Sequence, residues 1–454
     1  MDYQEFIEKK TFIHIDAGFS DDPWLPGSMF DFQADCVKWA LRRGRAALFL
    51  DTGLGKTITQ LTWAWNVADH ENKPVLVVAP LCVAQQTVRE GAKFGIWCDY
   101  IRSPDQLGEH SVYVTNYEML KHFDPSAFSG IVLDESSILK GMNGSLRKQI
   151  TEFASTIPYR LSCTATPSPN DYMELGTQAE FLGVMSQIEM LAMFFIHDGS
   201  DTSKWRLKGH GKTRFWEWMA TWSIVLRHPK DLGYDADGYD LPPIDYHEHI
   251  VETEATNGLF VEVAQGLKER GDARRETVDR RVAKAAEIAN SFDEPVLVWC
   301  HLNEESEKLE KLITDSVQVY GSMKPENKEK YLMQFTDGEL EKLISKPKIA
   351  GFGMNWQHCS KVIFVGLSDS WESYYQAIRR CWRFGQEKTV AVHVVISDRE
   401  GAVLDNIRRK EWQNKEMGDQ MARLMKNFTI SEIKGIQADK TDYLPNQPIQ
   451  LPSF

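Results

Sequence analysis

The glycine-rich segment at residues 51–57, Asp-Thr-Gly-Leu-Gly-Lys-Thr, constrains the fold more than any other part of the chain. It directly follows an apolar run at residues 46–50 and precedes a stretch at 57–70 that has helical periodicity. A glycine-rich loop between a buried strand and a helix N-terminus can bind phosphate groups through its backbone N–H groups. The segment therefore predicts a sheet with helical crossovers and a nucleotide at the end of one strand.

Within this phosphate loop, the glycines allow the backbone to approach phosphate closely. Lys56 is expected to reach the terminal phosphates, and the hydroxyl of Thr57 is expected to ligate Mg²⁺. The general pattern would place a glycine where this chain has Leu50, so a chance match stays open on the motif alone. The residues predicted to bind ATP are contiguous: Thr52, Gly53, Leu54, Gly55, Lys56 and Thr57.

Two acidic residues, Asp134 and Glu135, follow the apolar run at residues 130–133. Strand ends converge on ligands in open α/β sheets, so these acids are candidates for the same site. Asp134 would hold Mg²⁺ through water, and Glu135 would orient and deprotonate the attacking water. The alternative is an exposed acidic turn.

Short apolar runs alternate with longer amphipathic stretches in two separate series, which predicts an α/β protein with two parallel-sheet lobes. The first series comprises residues 46–50, 75–79, 111–114, 130–133 and 159–163. The second comprises residues 295–300, 316–320, 342–345, 361–365 and 390–396.

A segment of different composition, residues 178–243, lies between the two series and is predicted to be a helical insert with a linker. It is rich in tryptophan and, at 204–230, in basic residues, so it could contact DNA. Trp218 and Trp222, however, have helical spacing and could equally form the core of the insert. The predicted boundaries are an N-terminal extension at 1–27, lobes at 28–177 and 244–415, and a C-terminal helix and tail at 416–454.

Arg380 and Arg383 lie one helical turn apart, far downstream of the phosphate loop. Guanidinium groups suit the charge that develops on a transferring phosphoryl group, although a solvated basic helix face is the simpler explanation for the pair.

Near the other end of the chain, the amide of Gln33 could recognise adenine, or it could be merely solvated.

Composition excludes several classes of protein. The 7 cysteines have no paired spacing, which argues against a zinc ribbon or a disulfide framework. No apolar stretch approaches the roughly 18 residues that a membrane helix needs, so we expect no membrane association and a cytoplasmic protein. The net charge of −13 does not favour nucleic acid by itself, so binding would depend on local basic surfaces.

Together, these motifs resemble those of superfamily 2 helicases, and within them the Snf2-like DNA translocases, over residues 28–412. The phosphate loop resembles motif I, residues 134–140 motif II, 164–170 motif III, 351–356 motif V and 376–386 motif VI. Two departures stand out: Ser136 and Ser137 replace the usual Ala-His, and Arg379 replaces a usual aspartate. The compact size resembles bacteriophage-encoded members, which would place the protein in the host cytoplasm.

This resemblance implies two RecA-like lobes with ATP in the cleft between them. It also implies that Gly353 and Gln376 belong to the nucleotide site and that Arg380 and Arg383 close on the γ-phosphate. The residues implied to contact nucleic acid are Pro80, Thr115, Asn116, Tyr117, Thr164, Asn355 and Trp356.

We therefore predict an ATPase that acts as a helicase or translocase on double-stranded DNA with little sequence preference. A monomer is the favoured oligomeric state. An RNA helicase and a nucleotide-gated DNA clamp that hardly hydrolyses ATP are the alternatives. Because Lys56, Glu135 and the two arginines are all present, the clamp fits less well.

Overall fold

The computed structural model describes residues 16–140, 144–168, 171–198, 201–252, 275–350, 354–368 and 370–434. These residues form two parallel sheets with helices between their strands, which confirms the predicted α/β class with two lobes. None of the described helices has the length and apolarity needed to cross a membrane.

The first lobe alternates strands and helices from the start. In chain order it contains α1 (Asp31–Arg43), β1 (Arg45–Leu50), α2 (Lys56–Glu71), β2 (Val75–Ala79), α3 (Leu81–Lys93), β3 (Cys98–Tyr100), β4 (Val112–Asn116), β5 (Gly130–Asp134), α4 (Ser145–Ala154), β6 (Tyr159–Cys163) and α5 (Leu175–Leu182).

The middle segment then adds both helices and strands. It contains α6 (Gln187–Phe194), the antiparallel hairpin β7 (Phe195–Asp198) and β8 (Asp201–Leu207), α7 (Lys212–Trp222) and β9 (Ser223–Leu226). Strand β9 pairs in parallel with β1, so the first sheet has seven strands in the order β3-β4-β2-β5-β6-β1-β9.

The middle segment therefore differs from the helical insert that the sequence predicts. Strand β9 is only four residues long, and a run of that length carries too little periodicity to be separated from the helix before it. Trp216, Trp218 and Trp222 are all buried in the first lobe, which favours the core interpretation of these side chains. Basic residues of the same segment, such as Arg206 and Lys212, are exposed.

The second lobe repeats the alternation. It contains β10 (Ile244–Val251), α8 (Val278–Asn290), β11 (Val296–Cys300), α9 (Asn303–Leu312), β12 (Ser316–Val319), α10 (Pro325–Thr336), β13 (Lys342–Ser345), α11 (Pro347–Ala350), β14 (Lys361–Val365), α12 (Trp371–Ile378), β15 (Val390–Ser397) and α13 (Gly401–Lys434). Its six parallel strands follow the order β10-β15-β14-β11-β13-β12.

Strand β2 shows why these sheets are stable. Its Val-Leu-Val-Val-Ala sequence is buried throughout, as expected for a parallel strand covered by helices on both faces. Leu76 and Val78 pack into one apolar cluster, whereas Val75 and Val77 pack into the other. Alternate residues of one strand thus stabilise both helical layers.

Helix α13 connects the end of the second lobe back to the first. The helix is continuous across residue 415, where the sequence analysis places a boundary. Met421 and Met425 are buried in the core cluster of the first lobe, and Glu432 forms an ion pair with Arg43 of α1. The long helix therefore fastens both lobes together.

Candidate active site

The phosphate loop lies at the carboxyl end of β1, where the chain turns into α2. Gly53 and Gly55 have positive φ angles of 93° and 80°, which other residues rarely adopt. A Cβ atom on Gly53 would lie 3.0 Å from the backbone nitrogen of Phe384, which belongs to the second lobe. The loop therefore needs glycine both for its conformation and for the close approach of the opposite lobe.

Lys56 is folded back onto this loop. Its Nζ atom donates to the carbonyl oxygens of Leu50 at 3.1 Å and Asp51 at 3.4 Å. Burial lowers the pKa of Lys56, while the nearby Glu135 carboxylate opposes that shift. The ammonium group is thus held beside the loop, next to acidic partners.

The acidic pair lies at the end of β5 and is buried, so the alternative of an exposed acidic turn is wrong. Burial and the neighbouring Glu135 raise the pKa of Asp134 to about 7, and Lys56 acts in the opposite direction. Glu135 has a φ of 54°, and its Oε2 atom is buried without a hydrogen-bond partner among the described residues. A buried, unpaired carboxylate oxygen beside Thr57 and Asp134 fits a site for Mg²⁺ and a water molecule.

The two arginines lie in the turn that follows α12, because that helix ends at Ile378 and the predicted helical spacing does not hold. Arg380 is buried and donates to both the carbonyl and the side-chain oxygen of Gln376, each at 2.9 Å. Arg383 donates to the carbonyl oxygen of Met354 at 3.2 Å. A solvated basic helix face is therefore not the arrangement of these side chains.

One cavity of about 190 Å³ between the lobes is lined by the phosphate loop, the acidic pair and the two arginines. This cavity therefore brings together most of the residues that the sequence predicts for ATP and Mg²⁺. Asn355, which the sequence analysis assigns to nucleic acid, also lines this cavity, and its Oδ1 atom is buried without a partner among the described residues. Gly353 lies outside the described residues.

Gln33 is buried next to the phosphate loop and forms a hydrogen bond with it. Its Nε2 atom donates to the carbonyl of Leu54 at 3.0 Å, and its Oε1 atom accepts from the backbone nitrogen of Phe30 at 3.0 Å. The alternative of a solvated glutamine is therefore wrong. Phe30 contacts Phe384 edge to face, so an aromatic wall from both lobes lies beside the loop. Recognition of adenine by Gln33 stays a prediction.

Most residues predicted to contact nucleic acid are buried and already have partners inside the protein. The hydroxyl of Thr115 donates to the carbonyl of Ile101, and the hydroxyl of Tyr117 donates to the carbonyl of Asp134. The indole N–H of Trp356 donates to the hydroxyl of Thr336. Thr164 is also fully buried, and Asn116 is almost so. In this arrangement a ligand cannot contact the side chains of Thr115, Thr164 and Trp356, because no part of these side chains reaches the surface.

A larger cavity of about 710 Å³ lies next to the nucleotide cavity, and Glu135 lines both. Pro80 and Tyr117 belong to its lining. Its five basic residues come from both lobes and are accompanied by four glutamates. The basic residues are Arg89, Arg102, Lys140, Lys328 and Lys348.

Four further residues meet beside the phosphate loop, and sequence reasoning missed their association. Asp51, at the start of the loop, contacts Arg379 and Tyr375 of the second lobe and lies 3.7 Å from Arg227. The unusual arginine at position 379 was the only signal in the sequence. Nothing in the sequence connects it to Asp51, which is 328 residues away.

Comparisons with known proteins agree with this architecture. The model of the SNF2-related domain matches residues 32–194, and that of the helicase conserved C-terminal domain matches residues 280–385. Together the two matches cover more than half of the chain; the first falls on the first lobe and α6, and the second falls on the second lobe.

The chain is also similar to individual proteins over most of its length. It is 25% identical to putative protein p41 of Acyrthosiphon pisum secondary endosymbiont phage 1, over 78% of this chain and 89% of that protein. It is 22% identical to chromodomain-helicase-DNA-binding protein 1-like of Danio rerio, over 80% of this chain but 41% of that protein.

Among solved structures, the Sulfolobus solfataricus SWI2/SNF2 ATPase core in complex with dsDNA aligns with a TM-score of 0.43 and 18% identity, over 89% of this chain and 99% of that one. The two domain matches, in this order and on these lobes, accord with the motifs read from the sequence. The chain belongs to the Snf2-like family of superfamily 2 helicases.

Proposed function

We propose that this protein is an ATP-driven motor that moves along double-stranded DNA with little sequence preference. The observation that carries the proposal is the cavity of about 190 Å³ that both lobes line. A nucleotide site divided between two lobes can couple hydrolysis to relative movement of the lobes, because its two halves must meet for catalysis.

The residues of the cavity have distinct tasks in this proposal. Lys56 binds the terminal phosphates, while Glu135 orients the attacking water and accepts its proton. Arg383 approaches from the second lobe to stabilise the charge that develops on the transferred phosphoryl group. Thr57 and Asp134 would hold Mg²⁺, which neutralises phosphate charge when it is bound.

The larger cavity beside Glu135 is the proposed entrance to the nucleic-acid path. Basic residues from both lobes line it, so a bound backbone would be sensitive to changes in lobe spacing. Lys140 of the first lobe pairs with Glu372 of the second across this cavity, and a bound phosphate would compete with that ion pair. Contacts to backbone phosphates carry little sequence information, which accords with a motor that tracks any duplex.

The choice of DNA over RNA rests on the relatives. One relative is named as a DNA-binding helicase and another, from Arabidopsis thaliana, as a chromatin-remodelling factor. The test is ATP turnover by the purified chain with duplex DNA, single-stranded DNA or RNA. We expect the strongest stimulation by duplex DNA; stimulation by RNA alone would contradict the proposal.

A second measurement separates translocation from strand separation. Displacement of a third strand from a triplex reports movement along a duplex, whereas release of one strand from a plain duplex reports unwinding. We expect triplex displacement that requires ATP. Tight ATP-dependent DNA binding with almost no turnover would instead identify a nucleotide-gated clamp.

A further inference from the structure

Asp51 is the centre of a partly buried group of charged and hydroxyl side chains that spans the two lobes. Its Oδ1 atom accepts from Nη2 of Arg379 at 2.6 Å and from the hydroxyl of Tyr375 at 2.9 Å. The same oxygen accepts from the backbone nitrogen of Thr52 at 2.6 Å, inside the phosphate loop. One carboxylate thus connects the loop of the first lobe directly to the end of α12 in the second.

Arg379 is held in place by more than this ion pair. Its guanidinium carbon lies 4.7 Å from the ring centre of Trp382 and 5.3 Å from that of Tyr375. The Arg379 side chain is 6% exposed and that of Asp51 is 12% exposed, so solvent screens the pair only weakly. Loss of one member would leave the other charge buried with less compensation.

The opposite side of Asp51 faces Arg227, directly after β9. Arg227 also pairs with Asp419 of helix α13 at 3.2 Å. Gly418 allows this approach, since a Cβ atom there would lie 2.1 Å from the Arg227 guanidinium. Asp51 therefore contacts the phosphate loop and the second lobe directly, and it is connected to the long C-terminal helix through Arg227.

We propose that Arg379 is a positioning residue: its pairing with Asp51 docks the second lobe onto the phosphate loop and so delivers the adjacent Arg380 and Arg383 to the nucleotide cavity. This inference rests on the proposed ATPase function for its kinetic consequences. Its structural consequence, which is the spacing of the lobes, does not depend on hydrolysis.

The kinetic test compares R379Q, D51N and the double variant under saturating duplex DNA. D51N keeps an oxygen that can accept from Thr52, so the loop itself is preserved. We expect R379Q to lower kcat about 10- to 100-fold, since displacement of catalytic groups by about 1 Å can cost a factor of that order. The KM for ATP should change less than about threefold, because the phosphate loop remains in the first lobe.

The double variant should be no slower than the slower single variant, because both substitutions break the same contact. R379K should recover part of the activity, since it restores the charge but not the planar stacking. K308Q is the matched control, because it breaks exposed ion pairs within the second lobe only. Wild-type turnover by R379Q, or multiplicative effects in the double variant, would overturn the proposal.

The structural test uses spin labels on W97C in the first lobe and L312C in the second, both exposed positions, in a C82S background. The six cysteines that the structure describes are buried and should not compete for the label. Without nucleotide, R379Q should broaden the distance distribution between the labels relative to wild type and K308Q. An unchanged distribution would refute the docking role even if the motor is active. Failure of wild type to hydrolyse ATP would refute only the proposed function.

Discussion

Arg380 and Arg383 differ in how strongly the second lobe already holds them. Arg380 is buried and forms two hydrogen bonds with Gln376 and a third, at 3.3 Å, with the carbonyl of Met354. Arg383 contacts the same carbonyl at 3.2 Å and is less enclosed. At the scale of single residues, Arg383 is therefore the better candidate to move towards a phosphate, and Arg380 the better candidate to shape the turn.

We expect R383A to lower the DNA-stimulated kcat by about 10³-fold, in the range that loss of an arginine finger produces. R380A should also lower turnover, but with a loss of thermal stability, because it removes buried hydrogen bonds. Turnover assays and melting curves on both variants separate these effects. An R383A enzyme within tenfold of wild type would assign the finger elsewhere.

Glu135 provides a second prediction at this scale. E135Q keeps the shape of the side chain but removes the base, so turnover should fall at least about 10²-fold while ATP binding persists. Equilibrium binding of a labelled nucleotide checks that ATP still binds, and a steady-state assay checks that turnover falls. E304Q, a change of an exposed carboxylate in α9, is the matched control. An unchanged rate for E135Q would refute its proposed role.

At the scale of elements, the pairing of β10 with β15 brings three histidines together. The ring of His393 stacks on that of His247 at 4.6 Å, and its Nδ1 atom lies 3.0 Å from Nε2 of His249. Burial, the other two histidines and Lys361 lower the pKa of His393 to about 4, against a smaller opposing effect of Asp245. These strands therefore favour the neutral imidazole.

A pH dependence of stability follows from this arrangement. Between about pH 6.5 and 4 the unfolded chain binds a proton at His393 that the folded lobe does not, so the second lobe loses stability as the pH falls through that range. The loss should be on the order of 1 to 2 kcal/mol, after allowance for partial solvent screening. Melting temperatures measured across this range should fall less steeply for H393F, which keeps an aromatic ring. Parallel slopes would contradict the prediction.

At the scale of the whole molecule, α13 and the group around Asp51 connect the two lobes. The larger cavity, with basic residues from both lobes, lies beside Glu135. Movement of one lobe would therefore change both the nucleotide site and the proposed nucleic-acid path, which is the coupling that a motor needs.

The salt dependence of DNA stimulation tests the proposed path. The DNA concentration for half-maximal ATP turnover should rise with salt, because phosphate contacts release counterions. K328Q and K348Q should each weaken stimulation and reduce the slope of the logarithmic plot by about 1. K388Q, which changes an exposed lysine paired with Glu294, should leave the slope unchanged. Wild-type slopes in both test variants would exclude this cavity as the path.

Local patterns predicted the strand framework well. The strands at 75–79, 159–163, 342–345 and 361–365 have the predicted limits, and most of the others differ by one or two residues. Strands β3, β9 and β10 at the sheet edges and the hairpin β7–β8 were missed, since edge strands and hairpins are defined by the partner with which they pair. Trp356, which the motif match assigns to nucleic acid, is buried. A motif match does not specify which way a side chain points.

The sequence by itself determined the two α/β lobes, the phosphate loop and the residue types of the candidate site. These depend on periodicity, glycine conformation and side-chain chemistry, which act over a few neighbouring residues. Only the tertiary structure decided that Arg379 meets Asp51, that Trp356 is core and that α13 returns to the first lobe. Such contacts join residues that are 20 positions apart in one case and 328 in another, and their partners are set by the packing of whole elements rather than by local preference.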